Sequence, residues 1–429
     1  MLGVVLAACG GGGGASGGSS PSGPSTPAPT PTPVLGPPNI VLILADDLGY
    51  GDLSSYGHTL IKTPNLDKLA AEGIRFTSFY ADAPVCAPSR AALMTGRWPP
   101  RTGIAWNPPL RLHPDEIVIA QVLKDRGYAT GMLGKWNLGY EPGDMPIHYG
   151  FDYFYGISDG EDENKFVLGD QPTKDTVGPD MLAQRYTDYA IRWITSHKDG
   201  PFFLYLAHRS PHLLNAASPA FLGKSAYGLY GDTVEELDAT VGDLLKALKD
   251  LGIDKNTLVL FTSDNGPVIP PKGPGSAGPL FGGKGSLQEG GIRVPGIAWW
   301  PARIRGGRVV AEPVTTLDVF PTLVSLARGT LPPNRRYDGE DISRLLTGDL
   351  DRLPGRGIDG GREMIFWYQN QSSALRSGRY KYLRAGWWYS DPALYDLEAD
   401  PGETRNLSQD RPDLAKQLNQ RIDEIVSGG

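Results

Sequence analysis

Ile40-Val41-Leu42-Ile43-Leu44-Ala45-Asp46-Asp47 is the stretch on which the fold turns. Its apolar run has no polar alternation, which fits a strand covered on both faces, as in a parallel sheet, and not a strand with one wet side. The run stops at two adjacent carboxylates, which are costly to bury unless a cation or hydrogen-bond donors meet them. Upstream, residues 10–38 are almost wholly Gly, Ser, Pro, Thr and Ala, a composition that buries no core and behaves as a tether. The globular part therefore opens at Asn39.

Downstream the same grammar recurs. Thr63-Pro64 starts a helix carrying Leu66, Leu69 and Ala70, Gly73 ends it, and a strand over Ile74–Tyr80 leads toward Cys86. A helix over Asp115–Arg126 stops at Gly127, and a strand over Tyr128–Leu133 ends in Gly134-Lys135-Trp136-Asn137-Leu138-Gly139. A strand over Pro201–Ala207 ends in His208-Arg209-Ser210-Pro211-His212. A helix over Thr233–Asp250 carries Val234, Leu237, Val241, Leu244, Leu245 and Leu248 on one stripe, with Thr233 and Glu236 spaced as a capping box. After Gly252, the strand Thr257–Thr262 ends in Ser263-Asp264-Asn265-Gly266. Apolar strands that hand over to polar residues at their carboxyl ends describe an open α/β sheet, which binds its ligands at that edge.

Beyond Arg328 the texture changes. Short strand-like runs at Met364–Tyr368, Arg379–Leu383 and Ala393–Leu397 precede a helix over Pro412–Val426 with Leu414, Leu418, Ile422 and Ile425 at helical spacing. The fold class expected is α/β: a large mixed, mostly parallel sheet flanked by helices, with a smaller C-terminal α+β domain. The expected divisions are 1–9, a tether at 10–38, an α/β domain at 39–328 and an α+β subdomain at 329–429. The chain has 429 residues, 40% of them hydrophobic, which is enough for a large core. A net charge of −7 without Lys or Arg runs gives no sign of nucleic-acid binding.

The chemistry centres on Cys86-Ala87-Pro88-Ser89-Arg90-Ala91-Ala92-Leu93-Met94-Thr95-Gly96-Arg97. Pro88 and Ser89 suit a helix start and Gly96 its end, so residue 86 would stand beside a helix N-terminus, where N–H groups favour an anion. The segment resembles the signature of the sulfatase family, in which the cysteine of Cys-x-Pro-x-Arg is oxidised to formylglycine by a formylglycine-generating enzyme. The resemblance implies a hydrated aldehyde as nucleophile: one hydroxyl attacks sulfur, and the other, deprotonated, collapses to the aldehyde and expels sulfate. Segments 374–381 and 394–407 resemble the family's C-terminal region, so the likeness runs over most of Asn39–Leu407.

Carried over on matching motifs, the resemblance assigns Asp46, Asp47, Asp264 and Asn265, with residue 86, to one divalent cation, Ca2+ in the family's usual form. An all-oxygen set suits a hard cation. Arg90, Lys135 and Lys284, the last in Gly282-Gly283-Lys284-Gly285, match the sulfate grip. Three carboxylates, a divalent cation and three basic side chains leave an excess of two positive charges for an anionic ester. His212 matches the histidine that contacts the bridging oxygen and protonates the leaving group. His208 reads as structural, and Glu289 with Arg293 as a structural pair.

The departure is Asn137, where the family reads Gly-Lys-Trp-His-Leu-Gly. An amide holds a hydrogen bond but is no base near neutral pH. A slower second half-reaction, a base from elsewhere such as His148, or a site retuned for another ester would each follow. The expected activity is hydrolysis of an aryl or carbohydrate sulfate. The alternatives are a phosphonate monoester or phosphodiester hydrolase, and a catalytically weakened surface protein that binds sulfated glycans. Trp106, Trp387 and Trp388 are candidates to stack on a sugar.

Leu6-Ala7-Ala8-Cys9 is similar to a bacterial lipobox, which implies an acylated Cys9, a lipid anchor in the membrane, and a cell-envelope location on the outer membrane or periplasmic side of a Gram-negative bacterium. No positive n-region precedes it. A chance Ala-Ala-Cys in a disordered tail is the other reading. Cys9 and Cys86, the two cysteines, each have their own modification context, so no disulfide is expected.

Overall fold

The computed structural model of the protein describes residues 36–107, 111–158, 166–173, 177–386 and 390–428. Cys9, most of the tether, Trp387 and Trp388 lie outside the described residues. The strands are β1 (Asn39–Ala45), β2 (Ile74–Tyr80), β3 (Ala129–Lys135), β4 (Tyr153–Ile157), β5 (Phe166–Leu168), β6 (Gln171–Pro172), β7 (Phe202–Ala207), β8 (Thr257–Ser263), β9 (Arg293–Trp299), β10 (Arg308–Val310), β11 (Val314–Thr315), β12 (Glu363–Tyr368), β13 (Gln371–Ser377), β14 (Tyr380–Leu383) and β15 (Ala393–Asp396). The first eleven form one sheet in the order β10-β2-β9-β8-β1-β7-β3-β4-β5-β6, with β11 also on β2. The centre, β8-β1-β7-β3-β4, is parallel. β9 runs antiparallel to β8 and β2. This is the mixed, mostly parallel α/β sheet expected.

β1 shows why an unbroken apolar run was needed. Ile40, Leu42 and Leu44 enter a core with Ala87, Ala91, Leu93 and Met94 of the helix Cys86–Thr95. Val41, Ile43 and Ala45 enter a second core on the other face, with the helices Leu182–His197 and Gly228–Asp250. Successive strand side chains point to opposite faces, so a strand with helices on both sides has no wet position.

The C-terminal strands form a separate antiparallel sheet, β12-β13-β14-β15. Ile365 and Trp367 of β12 pack with Leu414, Leu418 and Ile422 of the helix Pro412–Ser427. Met364, Phe366 and Tyr368, on the opposite face, pack with Tyr80, Leu287 and Ile292 of the large-sheet region.

Several elements depart from expectation. The helix over Asp115–Arg126 is reduced to Ile119–Lys124, because Glu116 N–H bonds the His113 carbonyl in a turn and Gln121 Oε1 takes the N–H of extended Val118. The long helix begins at Gly228, so Thr233 caps nothing. Its hydroxyl donates back to the Leu229 carbonyl, and Glu236 instead accepts from Ser218 N–H. β9 is an element that the sequence does not announce, since Pro295 is uncharacteristic of an inner strand. Its register with β2 shifts between Phe76 and Phe79, across from Pro295.

Candidate active site

Strand direction gathers the chemistry at one edge. Gly134 and Leu44 are both level with Ala207, and Ala45 is level with Ser263. The residues that follow β1, β8 and β7, and Lys135 at the end of β3, therefore emerge side by side. Backbone bonds continue the register past the strands: Asp264 N–H to the Ala45 carbonyl at 3.1 Å, and Asp46 N–H to the Ser210 carbonyl at 3.1 Å. β2, parallel to this set, delivers Cys86, and antiparallel β9 begins at the same edge, which brings the preceding loop with Lys284.

Four groups converge within 4.8 Å of one another: carboxylate oxygens of Asp46 and Asp47, the Cys86 sulfur and a ring nitrogen of His212. Cys86 Sγ is 3.4 Å from Asp46 Oδ1 and 4.0 Å from Asp47 Oδ1. Lys135 Nζ donates to Asp46 Oδ2 at 2.6 Å, and Lys284 Nζ lies 2.7 Å from Asp47 Oδ1. Arg90 Nη2 lies 2.8 Å from Asp264 Oδ2 and 3.4 Å from Asp46 Oδ2, while Nη1 donates to the Lys135 carbonyl at 2.8 Å. Asp46, Asp47, Arg90, Lys135, Asp264 and Asn265 are all buried. Charges this deep persist only when paired.

The electrostatics follow from that pairing. Burial alone would raise the Asp46 carboxyl, but Lys135, His212, Arg90 and Lys284 together hold it well below the usual carboxylate range. Asp264, with burial and the neighbouring Asp46 opposing Arg90, rises to about 6. Burial pushes the Cys86 thiol up and the His212 imidazole down.

The residues present fit a hard cation. Asn265 Oδ1 is buried without a hydrogen-bond partner among the described residues, while its Nδ2 donates to Asp47 Oδ1 at 2.7 Å. An orphaned carbonyl oxygen beside buried carboxylates is a donor set in want of a positive charge. Asp264 is more committed than its motif suggested, since Oδ1 accepts from Asp47 N–H at 3.1 Å and Oδ2 from Arg90 Nε at 3.0 Å.

The helix that carries Cys86 begins at Cys86 itself, not at Pro88. Of the first N–H groups, Ala87's donates to Asn107 Oδ1 at 3.0 Å, Pro88 has none, and Ser89's returns to the Val85 carbonyl at 3.3 Å. The N-terminus is thus largely spoken for, and the positive charge around Cys86 is that of Lys135, Lys284 and Arg90. Asn107 carried no signal in the sequence: it stands in an unpatterned loop and acts on a helix it does not belong to.

Asn137 is buried with φ 58°, in the left-handed region that Asn tolerates better than most residues, and its N–H bonds the Ser158 carbonyl at 2.9 Å. The hydrogen bonds of the Cys86 thiol go to Asp46 and Asp47, not to this amide. His148 does not face the cluster's carboxylates: it is half-exposed, with Nε2 3.9 Å from Asp170. His208 is fully buried, held near pKa 4 by burial, and has no ring-nitrogen partner among the described residues. Trp106 packs edge-on against Tyr368 with centroids 5.0 Å apart, so its ring serves packing between the two sheets.

The family described as Sulfatase matches residues 38–330, and the chain belongs to it: it is a sulfuric ester hydrolase. It is 39% identical to bovine (Bos taurus) arylsulfatase A over 91% of this chain and 87% of that protein. It is 41% identical to N-acetylgalactosamine-6-sulfatase of Rattus norvegicus over 80% of this chain and 71% of that protein. A solved structure of Ps i-CgsB in complex with k-i-k-neocarrahexaose superposes with a TM-score of 0.80 at 30% identity, covering 90% of this chain and 92% of that one.

Proposed function

We propose that the protein hydrolyses an aryl or carbohydrate sulfate through a formylglycine formed at Cys86, with one divalent cation held by Asp46, Asp47, Asp264, Asn265 and residue 86. The observation that carries this reading is the convergence of Lys135, Lys284 and Arg90 on Asp46, Asp47 and Asp264 around the Cys86 sulfur in a chain of this family. The cation, Ca2+ by its oxygen donor set, would supply Lewis-acid stabilisation of negative charge on the nucleophile and the ester. Lys135 and Lys284 orient the sulfate and offset its charge, and Arg90 fixes Asp264 and the Lys135 carbonyl. A hydroxyl of the hydrated residue 86 attacks sulfur, the S–O bond to the alcohol breaks, and the alcohol leaves with a proton. Loss of a proton from the second hydroxyl then re-forms the aldehyde and breaks the C–O bond to sulfate.

His212 stands where those protons move. One ring nitrogen, Nδ1, contacts the Leu213 carbonyl, and Nε2 lies 3.7 Å from Asp47 Oδ2. An Nδ1–H held by a carbonyl leaves Nε2 as the proton-accepting atom. With Asn137 unable to act as a base, His212 serves both half-reactions.

The test is the mass of the tryptic peptide Phe76–Arg90 from active protein. Formylglycine at position 86 is the expected result, with turnover abolished in Cys86→Ala, and an unmodified thiol in fully active protein would refute the proposal. Verified metal-free protein should be inactive and regain turnover with Ca2+; full activity without metal would remove the cation. Anchoring through an acylated Cys9 belongs to the same proposal: full-length protein should fractionate with bacterial membranes and Cys9→Ala should not.

A further inference from the structure

The loop after β7 carries His212, and a buried arginine of the same loop holds the carbonyl that holds the histidine ring. Arg209 is only 7% exposed. Its Nη2 donates to the Leu213 carbonyl at 2.9 Å and its Nη1 to the Leu214 carbonyl at 3.2 Å, so one planar fork spans two successive peptide units. The Leu213 carbonyl is also the group that His212 Nδ1 contacts. A carbonyl oxygen has two lone pairs, and this one meets the guanidinium and the imidazole together.

That shared oxygen decides where His212 points. A hydrogen bond at Nδ1 fixes both the tautomer and the orientation of the ring, and so aims Nε2. Nε2 lies 3.7 Å from Asp47 Oδ2, beside the Cys86 sulfur and Asp46. Before His212 the loop is tied to β1, since His208 N–H bonds the Leu44 carbonyl at 2.8 Å and the Ser210 carbonyl takes the Asp46 N–H at 3.1 Å. After His212 packing contributes little, because Leu214 is 82% exposed. Arg209 supplies the hold there. Asn215 ties a different group, its Nδ2 donating to the Pro211 carbonyl at 2.6 Å.

We propose that Arg209 is a positioning residue for His212: by fixing the Leu213 carbonyl it keeps the proton on Nδ1 and leaves Nε2 to take the proton of the attacking hydroxyl at residue 86 and pass it to the oxygen of the departing alcohol. The inference rests on the proton-transfer role given to His212 above. The alcohol oxygen gains the proton that the hydroxyl loses as the new S–O bond forms and the old one breaks, so no other reactant is consumed. A more basic leaving group needs that proton more, and its turnover depends more on where Nε2 points.

The test compares wild type, Arg209→Met, Arg209→Gln, Asn215→Ala and His212→Ala in kcat/KM for 4-nitrophenyl sulfate and for phenyl sulfate, whose phenol is the more basic leaving group. Arg209→Met should lower kcat/KM for phenyl sulfate about tenfold more than for 4-nitrophenyl sulfate, within the roughly 10²–10⁴-fold scale of general acid–base effects. Arg209→Gln, which retains an amide donor, should show a smaller difference in the same direction, and it carries the test if Arg209→Met does not fold. His212→Ala should show at least as large a difference, and Asn215→Ala should lower both substrates by the same factor. Equal losses on the two substrates in the Arg209 variants, with the difference present in His212→Ala, would overturn the positioning role and leave the role of His212 standing. The Arg209 pattern reproduced in Asn215→Ala would reduce the effect to general order of the loop and overturn the proposal. No difference in His212→Ala would overturn the proton transfer by His212 and the positioning role with it.

Discussion

Replacing Lys381 by Met should loosen the join between the two sheets, by an amount that grows with pH. Lys381 Nζ lies 2.9 Å from Glu289 Oε1 and 2.9 Å from Glu403 Oε1, and all three side chains are fully buried. In Lys381→Met, Glu289 keeps Arg293 at 3.2 Å and the Tyr80 hydroxyl at 2.7 Å. Glu403 keeps the Glu289 N–H at 2.7 Å but loses its ion-pair partner. Met fills most of the lysine stem, so the loss is electrostatic and not a cavity. Breaking a buried pair by removing one partner costs about 3–5 kcal/mol. At about 2 °C per kcal/mol for a chain of this size, Tm should fall by about 6–10 °C at pH 8.

The pH dependence has a definite sign. Burial already raises the Glu403 carboxyl against the pull of Lys381, and without that lysine it rises further. A carboxyl whose folded pKa exceeds its unfolded value destabilises progressively above the unfolded value, near 4.5. Glu289 behaves oppositely: burial is outweighed by Lys381, Arg293 and Arg376, its pKa is about 2, and its contribution persists well into acid. The deficit of the variant should therefore shrink as pH falls from 8 toward 4, read by thermal unfolding monitored by circular dichroism. A Tm within about 2 °C of wild type at pH 8, or a deficit larger at pH 4 than at pH 8, would refute the reasoning.

Three further outcomes are expected. Asn137→His, at a left-handed position that histidine also tolerates, should raise steady-state turnover of a chromogenic aryl sulfate, by at most the roughly 10²–10⁴-fold scale of general-base effects, and leave the pre-steady-state burst unchanged. Absence of a burst in wild type, with lower activity in Asn137→His, would show that Asn137 serves another substrate, and phosphonate and phosphate esters should then be compared with sulfate. Asn107→Ala removes the acceptor on Ala87 N–H and should cost about 1 kcal/mol in stability and lower kcat more than it raises KM, while Asn107→Asp, which keeps an acceptor, should recover stability. Asp264→Ala leaves Arg90 without its 2.8 Å partner and should lower both Ca2+ affinity, read by calorimetry, and turnover; unaltered Ca2+ affinity would place the cation elsewhere.

Much of the fold was legible because β1 and β7 are buried on both faces, and burial on both faces writes itself into sequence as uninterrupted apolar runs ended by polar pairs. The α/β class, the carboxyl-edge placement of Asp46, Asp47, Lys135, His212 and Asp264, and the Cys86 motif with the chemistry it implies all came from such local patterns. Edge and antiparallel elements were harder to read: Pro295 disguised β9, whose register irregularity with β2 depends on two strands more than two hundred residues apart in sequence. Only the tertiary structure decided which cation meets which carboxylate, because Lys135, Lys284 and Arg90 reach Asp46, Asp47 and Asp264 across strand ends that no spacing in the chain specifies. Glu289 and Arg293, four residues apart in one motif, were readable as a structural pair, yet Lys381 and Glu403, which complete the group and join the two sheets, were not. An ion pair within one turn is a local property of sequence, whereas one that crosses between sheets exists only after both have folded and packed.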